Sequence, residues 1–569
     1  MRKEEAPVSS PFRARLAASP IPPVLFCWAV YLILMLFIWR YIGVVEGEEI
    51  AASAAYAWLH QIPQVLSAPH VRVLGWNIPL MFDVYMGPWA IYSIAPFFAL
   101  GSCTLATLRC YNAAMFLLAL FGAYCLTREL YRDAAIAFLS TLLLGVCPAL
   151  AASYSAYVQA SSLSVASSAW TLYFGLSFAR GRRPAFACLS CASFLMGLCA
   201  CPWLAGLGAG LGLCFLLMPR RCLALLPKAP REKLWLAGGG LLCAGIILLP
   251  VLLYNVLNAG RTIRFFARHL LERDHLPTTL WYFGSWSNLK FAGNLKVRVA
   301  HLAMLCDGDW IFVLAGKPWH LLYIGPLLFS FARTAREAWE TGTLWFKTAV
   351  LWTIAIGYVL ASAVSPTELG VHQLLPLTPV LAALMLDAVD ANRTPRGRRA
   401  ALAIAGAACA AQFFGDFSLL RKDNVNLAQR GYYGASPVLA EVGRWAADNP
   451  RTPMVPLSGA VSQALPYFSQ FRARVVPFSS CGSPLRWEKW LAQRDVPYQA
   501  SASSDSPIPW EKWLRRRDKP DFIAQNDTSD DDIVATMKSE AVRIGVTLIP
   551  VKIFTDDRGR TEFEAYAVR

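Results

Sequence analysis

Three carboxylates within four residues, Glu46, Glu48 and Glu49, follow closely on the apolar run Ile33–Trp39. Ionisable groups beside hydrocarbon must have their desolvation compensated, so they mark functional positions. A carboxylate held there can act as general base on a hydroxyl. It must reach the proton at hydrogen-bond distance, and partial desolvation raises its pKa toward the working pH. A neighbouring acid could orient the acceptor or help to hold a divalent cation. The plainer reading of the same residues is a solvated acidic cap on a helix from Ile50 to His60, with negative charge on the positive end of the helix dipole.

Further along come Asp83, Tyr85, Gly87, Pro88, Trp89 and Tyr92. Pro88 can open a helix, and Gly87 lets that start approach another group closely. Aromatics at an interface suit sugar stacking or head-group contact, or simply form an interfacial belt. Arg109 stands at a membrane edge, where it can pair with a phosphate or with one of the acids; alone it reads as a snorkelling anchor. Arg261, Arg264, Arg268, Arg273, Lys290, Lys296 and Arg298 make residues 255–309 basic, with Trp281, Tyr282 and Trp286 among them. An anionic partner such as a lipid-carrier phosphate explains these cations, as does contact with anionic bilayer. His372 and Gln373 open a late apolar stretch and could bind phosphate or sugar hydroxyls. Alone, His372 reads as a satisfied structural histidine.

Composition says what must position these groups. The chain is 56% hydrophobic and only 16% charged, against roughly 25% charged in soluble domains. A polytopic helical membrane protein with a polar remainder is expected. About eleven stretches are long and apolar enough to span: approximately 22–43, 109–127, 134–152, 160–179, 185–201, 203–218, 234–254, 310–331, 346–364, 371–390 and 400–418. The net charge of +16 does not point to nucleic acid. Much of the basicity sits in alternate short loops, at Arg128/Arg132, Arg180–Arg183, Arg220–Lys233, Arg333–Lys347 and Arg393–Arg399. That alternation is the positive-inside pattern. It sets residues 1–20 in the cytoplasm, residues 21–419 as the membrane domain, and loops 44–108 and 255–309 on the outer face. Residues 420–569 then form an outer α/β domain, and a bacterial inner membrane with this domain in the periplasm fits.

Residues 78–100 are apolar but broken by Asp83 and Gly87-Pro88, and are expected as a helix lying in the interface. In the tail, Val438, Leu439, Val442 and Trp445 make a helical stripe. Residues 453–457 and 473–478 resemble strands, Thr528–Asp532 a helix start, and 546–554 with 561–568 a closing hairpin. A Trp-Glu-Lys-Trp repeat at Trp487 and Trp510 suits two amphipathic helices, against lipid head groups or glycan, or more plainly against a sheet. Cys188 and Cys191 form a C-x-x-C in an apolar helix and read as small packing residues.

Taken in order, these pieces resemble the integral-membrane glycosyltransferases of the GT-C fold, in the branch of protein O-mannosyltransferases and the aminoarabinose transferases acting on lipid A. The matching elements are Glu48-Glu49, Gly87-Pro88-Trp89-Ala90-Ile91-Tyr92, Gly101, Arg109-Cys110-Tyr111, Thr127-Arg128-Glu129-Leu130-Tyr131 and His372-Gln373-Leu374-Leu375-Pro376-Leu377. The resemblance covers residues 22–131 and 365–390. The chain departs from the family in having Glu-Glu for Asp-Glu, Gln373 for a Tyr, and no Lys before the Gly-Pro element. The resemblance implies a donor sugar on a polyprenyl phosphate and a hydroxyl acceptor in envelope glycan, lipid or protein. It also implies inversion at the anomeric carbon, with Glu48 as base and Glu46 or Glu49 assisting. Arg109, His372, Arg261 and Arg264 are the expected partners of the leaving phosphate, with Asp83, Tyr85, Pro88, Tyr92 and Gln373 lining the substrate. Two other readings are a transporter or flippase of a lipid-linked substrate and a non-catalytic assembly protein. The first would show repeats and broken helices at the membrane midplane; the second would work without Glu48 and Glu49.

Overall fold

The structure is a computed structural model. It describes residues 19–39, 48–61, 70–81, 86–101, 104–147, 161–181, 183–264, 319–344, 347–364, 371–392, 394–427 and 438–457. In the C-terminal segment it also describes 465, 469, 472–475, 514–515, 519, 521–525, 531–555, 559 and 561–569.

The described residues of each stretch expected to span include a helix. These helices are α1 (Ile21–Trp39), α4 (Leu105–Tyr131), α5 (Ala134–Gly145), α6 (Ser161–Gly181), α7 (Pro184–Ala200), α8 (Ala205–Leu217), α9 (Pro230–Leu257), α10 (Trp319–Thr341), α11 (Lys347–Val364), α12 (Thr378–Met385) with α13 (Asp387–Ala391), and α14 (Pro395–Leu427). Among the described residues three stretches are long and apolar enough to cross a membrane by length and composition: Ala106–Tyr131, Pro230–Leu257 and Leu374–Ala391. On α9 a belt of large apolar side chains is exposed, Leu241, Leu242, Ile246, Leu249, Leu252 and Val256 among them. Lipid suits such a helix, whose backbone polar groups pair within it except where Pro250 removes a donor.

The ends of these helices follow local rules. Thr104 caps α4 by accepting from the Thr107 amide, and Arg132 stops it in a left-handed conformation at φ 56°. Asp133 then caps α5 through the amides of Ala135 and Ile136. The core runs through α1, α4, α5, α6, α8, α11, α12 and α14. One face of α6 is small and polar, with Ser162, Ser164, Ser167, Ser168 and Thr171 all buried. Where α8 crosses α11, a Cβ on Gly210 would lie 2.4 Å from the Ile354 carbonyl oxygen; only glycine allows backbones so close.

At one end of the bundle, ion pairs tie the helices together. Arg180 Nη1 lies 2.7 Å from Glu129, and Arg333 Nη1 lies 2.7 Å from Asp387 Oδ1. Lys347 pairs with Asp390, and Arg398 with Asp133. All the basic members belong to loops or loop edges expected on the cytoplasmic side. The Tyr131 hydroxyl donates to the Ala383 carbonyl (2.8 Å) and so joins the end of α4 to the same group.

The C-terminal segment builds a five-stranded sheet from β3 (Pro453–Pro456), β4 (Arg474–Val475), β5 (Asp521–Gln525), β6 (Leu548–Thr555) and β7 (Thr561–Val568), in the order β4-β3-β5-β7-β6. The β3 strand pairs parallel with β4 and β5, and β7 pairs antiparallel with β5 and β6. One face packs on α15 (Leu439–Asp448), the other on α16 (Asp531–Arg543). The Trp487 and Trp510 repeat lies outside the described residues.

The expectation for residues 78–100 needs correction. Helix α3 runs only from Trp89 to Leu100. Before it, β1 (His70–Val73) and β2 (Trp76–Pro79) form an antiparallel hairpin. Its turn places Leu74 at φ 50° and Gly75 at φ 87°.

Candidate functional site

Glu48 and Glu49 are the first two residues of α2 (Glu48–Leu59). Their side chains, like Glu46, Asp83 and Tyr85, lie outside the described residues. What the structure gives is the seat of α2. Its buried face is alanine, at Ala52, Ala54, Ala55 and Ala57, and residues this small let α2 lie close against its neighbours. That face joins one apolar cluster with Ile91, Ile94, Ala95 and Phe98 of α3 and with Leu108 and Tyr111 of α4. Ring contacts reinforce it: Trp58 on Tyr92 at 5.1 Å, Tyr56 on Phe98 at 6.2 Å, and Phe97 on Tyr111 at 5.4 Å.

Hydrogen bonds fix α2, the hairpin and α3 to one another and to the bundle. The Gln61 amide nitrogen donates to the Trp58 carbonyl at 2.6 Å, and its oxygen accepts from the Asn77 amide at 2.8 Å, which holds the hairpin on the end of α2. The Tyr92 hydroxyl donates to the Pro79 carbonyl. Burial pushes that phenol up to about 12, so it stays a donor. The Trp89 indole donates to the Ile247 carbonyl of α9 (2.9 Å), and Ser93 and Tyr111 share a hydrogen bond of 2.8 Å.

Gly87 makes the close approach its residue type allows. Its amide donates to the Cys199 carbonyl at 2.6 Å, and an added Cβ would meet Cys199 and Val251 side-chain carbons at 3.1 Å. Pro88 occupies the N-cap position of α3, just ahead of its first helical residue.

Arg109 is where sequence and structure differ most. A snorkelling anchor would be exposed, whereas Arg109 is 2% exposed inside the bundle. It sits in α4 between Leu108 and Tyr111, both in the cluster that seats α2. Three residues on, Asn112 is completely buried, and its amide oxygen and nitrogen make no hydrogen bond. Tyr31 of α1 is completely buried too, and its hydroxyl makes none. Neither residue was singled out from sequence. The available signal was a polar side chain inside an apolar span.

Arg261 and Arg264 lie just beyond the C-terminal end of α9. Ala259 (φ 50°) and Gly260 (φ 73°) turn the chain there. Asn255 Oδ1 accepts from the Thr262 amide at 3.0 Å, and Arg264 Nη2 donates to the Asn258 carbonyl at 3.1 Å. Tyr254, just before the elbow, packs with Leu80 and Met81 at the end of the hairpin. The elbow therefore adjoins the hairpin that is held on α2. His372 and Gln373 fall in a 3-10 stretch, Val371–Leu377, with side chains outside the described residues. Ser168 Oγ donates to the Pro376 carbonyl (2.6 Å) and holds this stretch against α6. It also touches the turn Pro202–Leu204, which follows Cys201 of the α2 cluster. Among the described residues no group of His, Cys, Asp or Glu could hold a metal ion.

The chain as a whole has a known fold. It is similar to ArnT from Cupriavidus metallidurans bound to undecaprenyl phosphate, with a TM-score of 0.64 and 14% identity over 96% of this chain and 98% of that one. The apo state of the same protein matches with a TM-score of 0.62 and 13% identity, over 95% and 97%. No protein-family model matches the sequence, and no curated protein matches it. The expected GT-C architecture is met at the level of fold.

Proposed function

We propose that this chain transfers a sugar from a polyprenyl-phosphate carrier to a hydroxyl of an envelope glycan, lipid or protein on the outer face of the membrane. Glu48 is the base. It takes the acceptor proton as the oxygen attacks the anomeric carbon with inversion, and the lipid phosphate leaves; Glu49 and Glu46 orient the acceptor. Arg109, with Arg261, Arg264 and His372, neutralises the phosphate as its bond to the sugar breaks. Asp83, Tyr85, Pro88, Tyr92 and Gln373 shape the sugar and acceptor subsites.

The observation that carries this reading is the seating of α2. A helix that opens with Glu48-Glu49 is held by one packed cluster against the segment of α4 that carries a buried arginine. A base and a phosphate cation have to be held together in this way. The likeness in fold to a protein solved with undecaprenyl phosphate supports the choice of donor. The ion-paired end of the bundle, far from α2, supports an orientation with that end in the cytoplasm. The α4 helix has 27 residues, which separates its ends by about 40 Å.

The test is transfer from radiolabelled polyprenyl-phosphate sugars to cell-envelope extract, by the full-length protein in nanodiscs, against Glu48→Gln and Glu49→Gln. Loss of transfer in a folded Glu48→Gln protein is the expected result. Donor that crosses the bilayer intact, equally in all three proteins, would replace this reading with a flippase.

A further inference from the structure

Asn112 is an unusual residue to bury. An amide has two donor positions and two acceptor lone pairs, and leaving them unpaired in an apolar interior is costly. Leucine has the same number of side-chain heavy atoms and the same branching, and carries no polar group to leave unpaired. Asn112 is nevertheless completely buried with neither amide atom hydrogen-bonded. A second orphan lies across from it. The Tyr31 ring rests on Phe116 with centroids 4.1 Å apart, and its hydroxyl is likewise buried and unbonded. Arg109, Asn112 and Phe116 follow one another at i, i+3 and i+7, so they share one face of α4, and Phe116 shows that this face meets Tyr31. The charge of Arg109 lies within electrostatic reach of the Tyr31 phenol.

These groups are complementary. An Arg109 N–H can donate to Asn112 Oδ1, and Asn112 Nδ2–H can donate to the Tyr31 oxygen. The chain Tyr31–Asn112–Arg109 would then be paired throughout, which would hold the guanidinium in one orientation. We propose that Asn112, braced by Tyr31, is a positioning residue that fixes the Arg109 guanidinium for the phosphate of the lipid donor. This rests on the donor reading above. Asn112 touches no substrate; it acts through Arg109.

The test is binding of radiolabelled undecaprenyl phosphate to the full-length protein in nanodiscs, read beside thermal stability, for wild type, Asn112→Leu, Asn112→Asp and Tyr31→Phe. Asn112→Leu is expected to keep or gain stability while affinity falls about ten- to hundredfold, the value of one hydrogen bond to a charged group. Asn112→Asp would set a carboxylate against Arg109 that competes with the phosphate and repels it, so binding should fall with this variant as well. Tyr31→Phe should weaken binding severalfold without unfolding the protein. Wild-type binding that Asn112→Leu and Tyr31→Phe leave unchanged would overturn the positioning role and leave the donor reading intact. A wild-type protein that binds no undecaprenyl phosphate would overturn both.

Discussion

Breaking the buried ion pair between Arg333 and Asp387 should be among the most damaging single changes to the stability of the bundle. Asp387 is completely buried, and Arg333 Nη1 sits 2.7 Å from its Oδ1. The other carboxylate oxygen has no hydrogen-bond partner. Replacing Arg333 with Met keeps the apolar stem and removes the charge. Stranding one member of a buried pair costs about 3–5 kcal/mol. The lower end applies, because Arg333 is itself one-third exposed and Lys347 still acts on Asp387. About 3 kcal/mol is therefore expected. Arg333→Met/Asp387→Leu should recover most of it, since an apolar pair of similar volume carries no desolvation debt. Reversible denaturation in detergent, followed by tryptophan fluorescence, would give the double-mutant cycle. A loss below about 1 kcal/mol for Arg333→Met, or a double variant no better than the single one, would show that the pair does not hold these helices together.

Gly210→Ala drives a Cβ to 2.4 Å from the Ile354 carbonyl oxygen, an atom of the backbone that cannot turn aside, while Gly212 on the same helix faces open space. The first change should cost about 3 kcal/mol and the second nothing, as read from thermal midpoints. Tyr92→Phe keeps the ring on Trp58 and removes the hydrogen bond to the Pro79 carbonyl. It should cost about 1 kcal/mol, visible as roughly fivefold faster hydrogen exchange in the hairpin. Asp521, half-buried at the start of β5, is pushed up to about 6 by burial. Its folded pKa is above the unfolded value, so its contribution is fully present below pH 4 and is lost as pH rises through 6. Discounted for its exposed half, the loss is about 1 kcal/mol. Asp521→Asn should flatten the stability of the C-terminal sheet over that window, and an unchanged pH profile would count against the assignment.

Much of the scaffold could be read from the residues in order. Apolar length located the helices, the paired stretches 546–554 and 561–568 located the β6–β7 hairpin, and Gly87 announced a close backbone approach. Other features have no local signature. The β1–β2 hairpin has strands of four residues and turns at Leu74-Gly75, without the Asn-Gly or Asp-Gly pair that marks such turns. The same apolar spacing serves a helix facing lipid and one facing protein, so nothing local says that Arg109 points inward. The Arg398–Asp133 and Arg333–Asp387 pairs join residues far apart in sequence. Asn112 is a single polar residue, and its meaning emerges only once α1 supplies Tyr31 opposite it.

We propose that the head of α2 and Arg109 serve one reaction. It is tested most directly by the structure of the Glu48→Gln protein with a polyprenyl-phosphate sugar bound. The expected result has the phosphate within hydrogen-bond distance of Arg109 and the anomeric carbon turned toward position 48. A phosphate bound at the opposite end of the bundle, beside Arg333 and Lys347, would contradict the account.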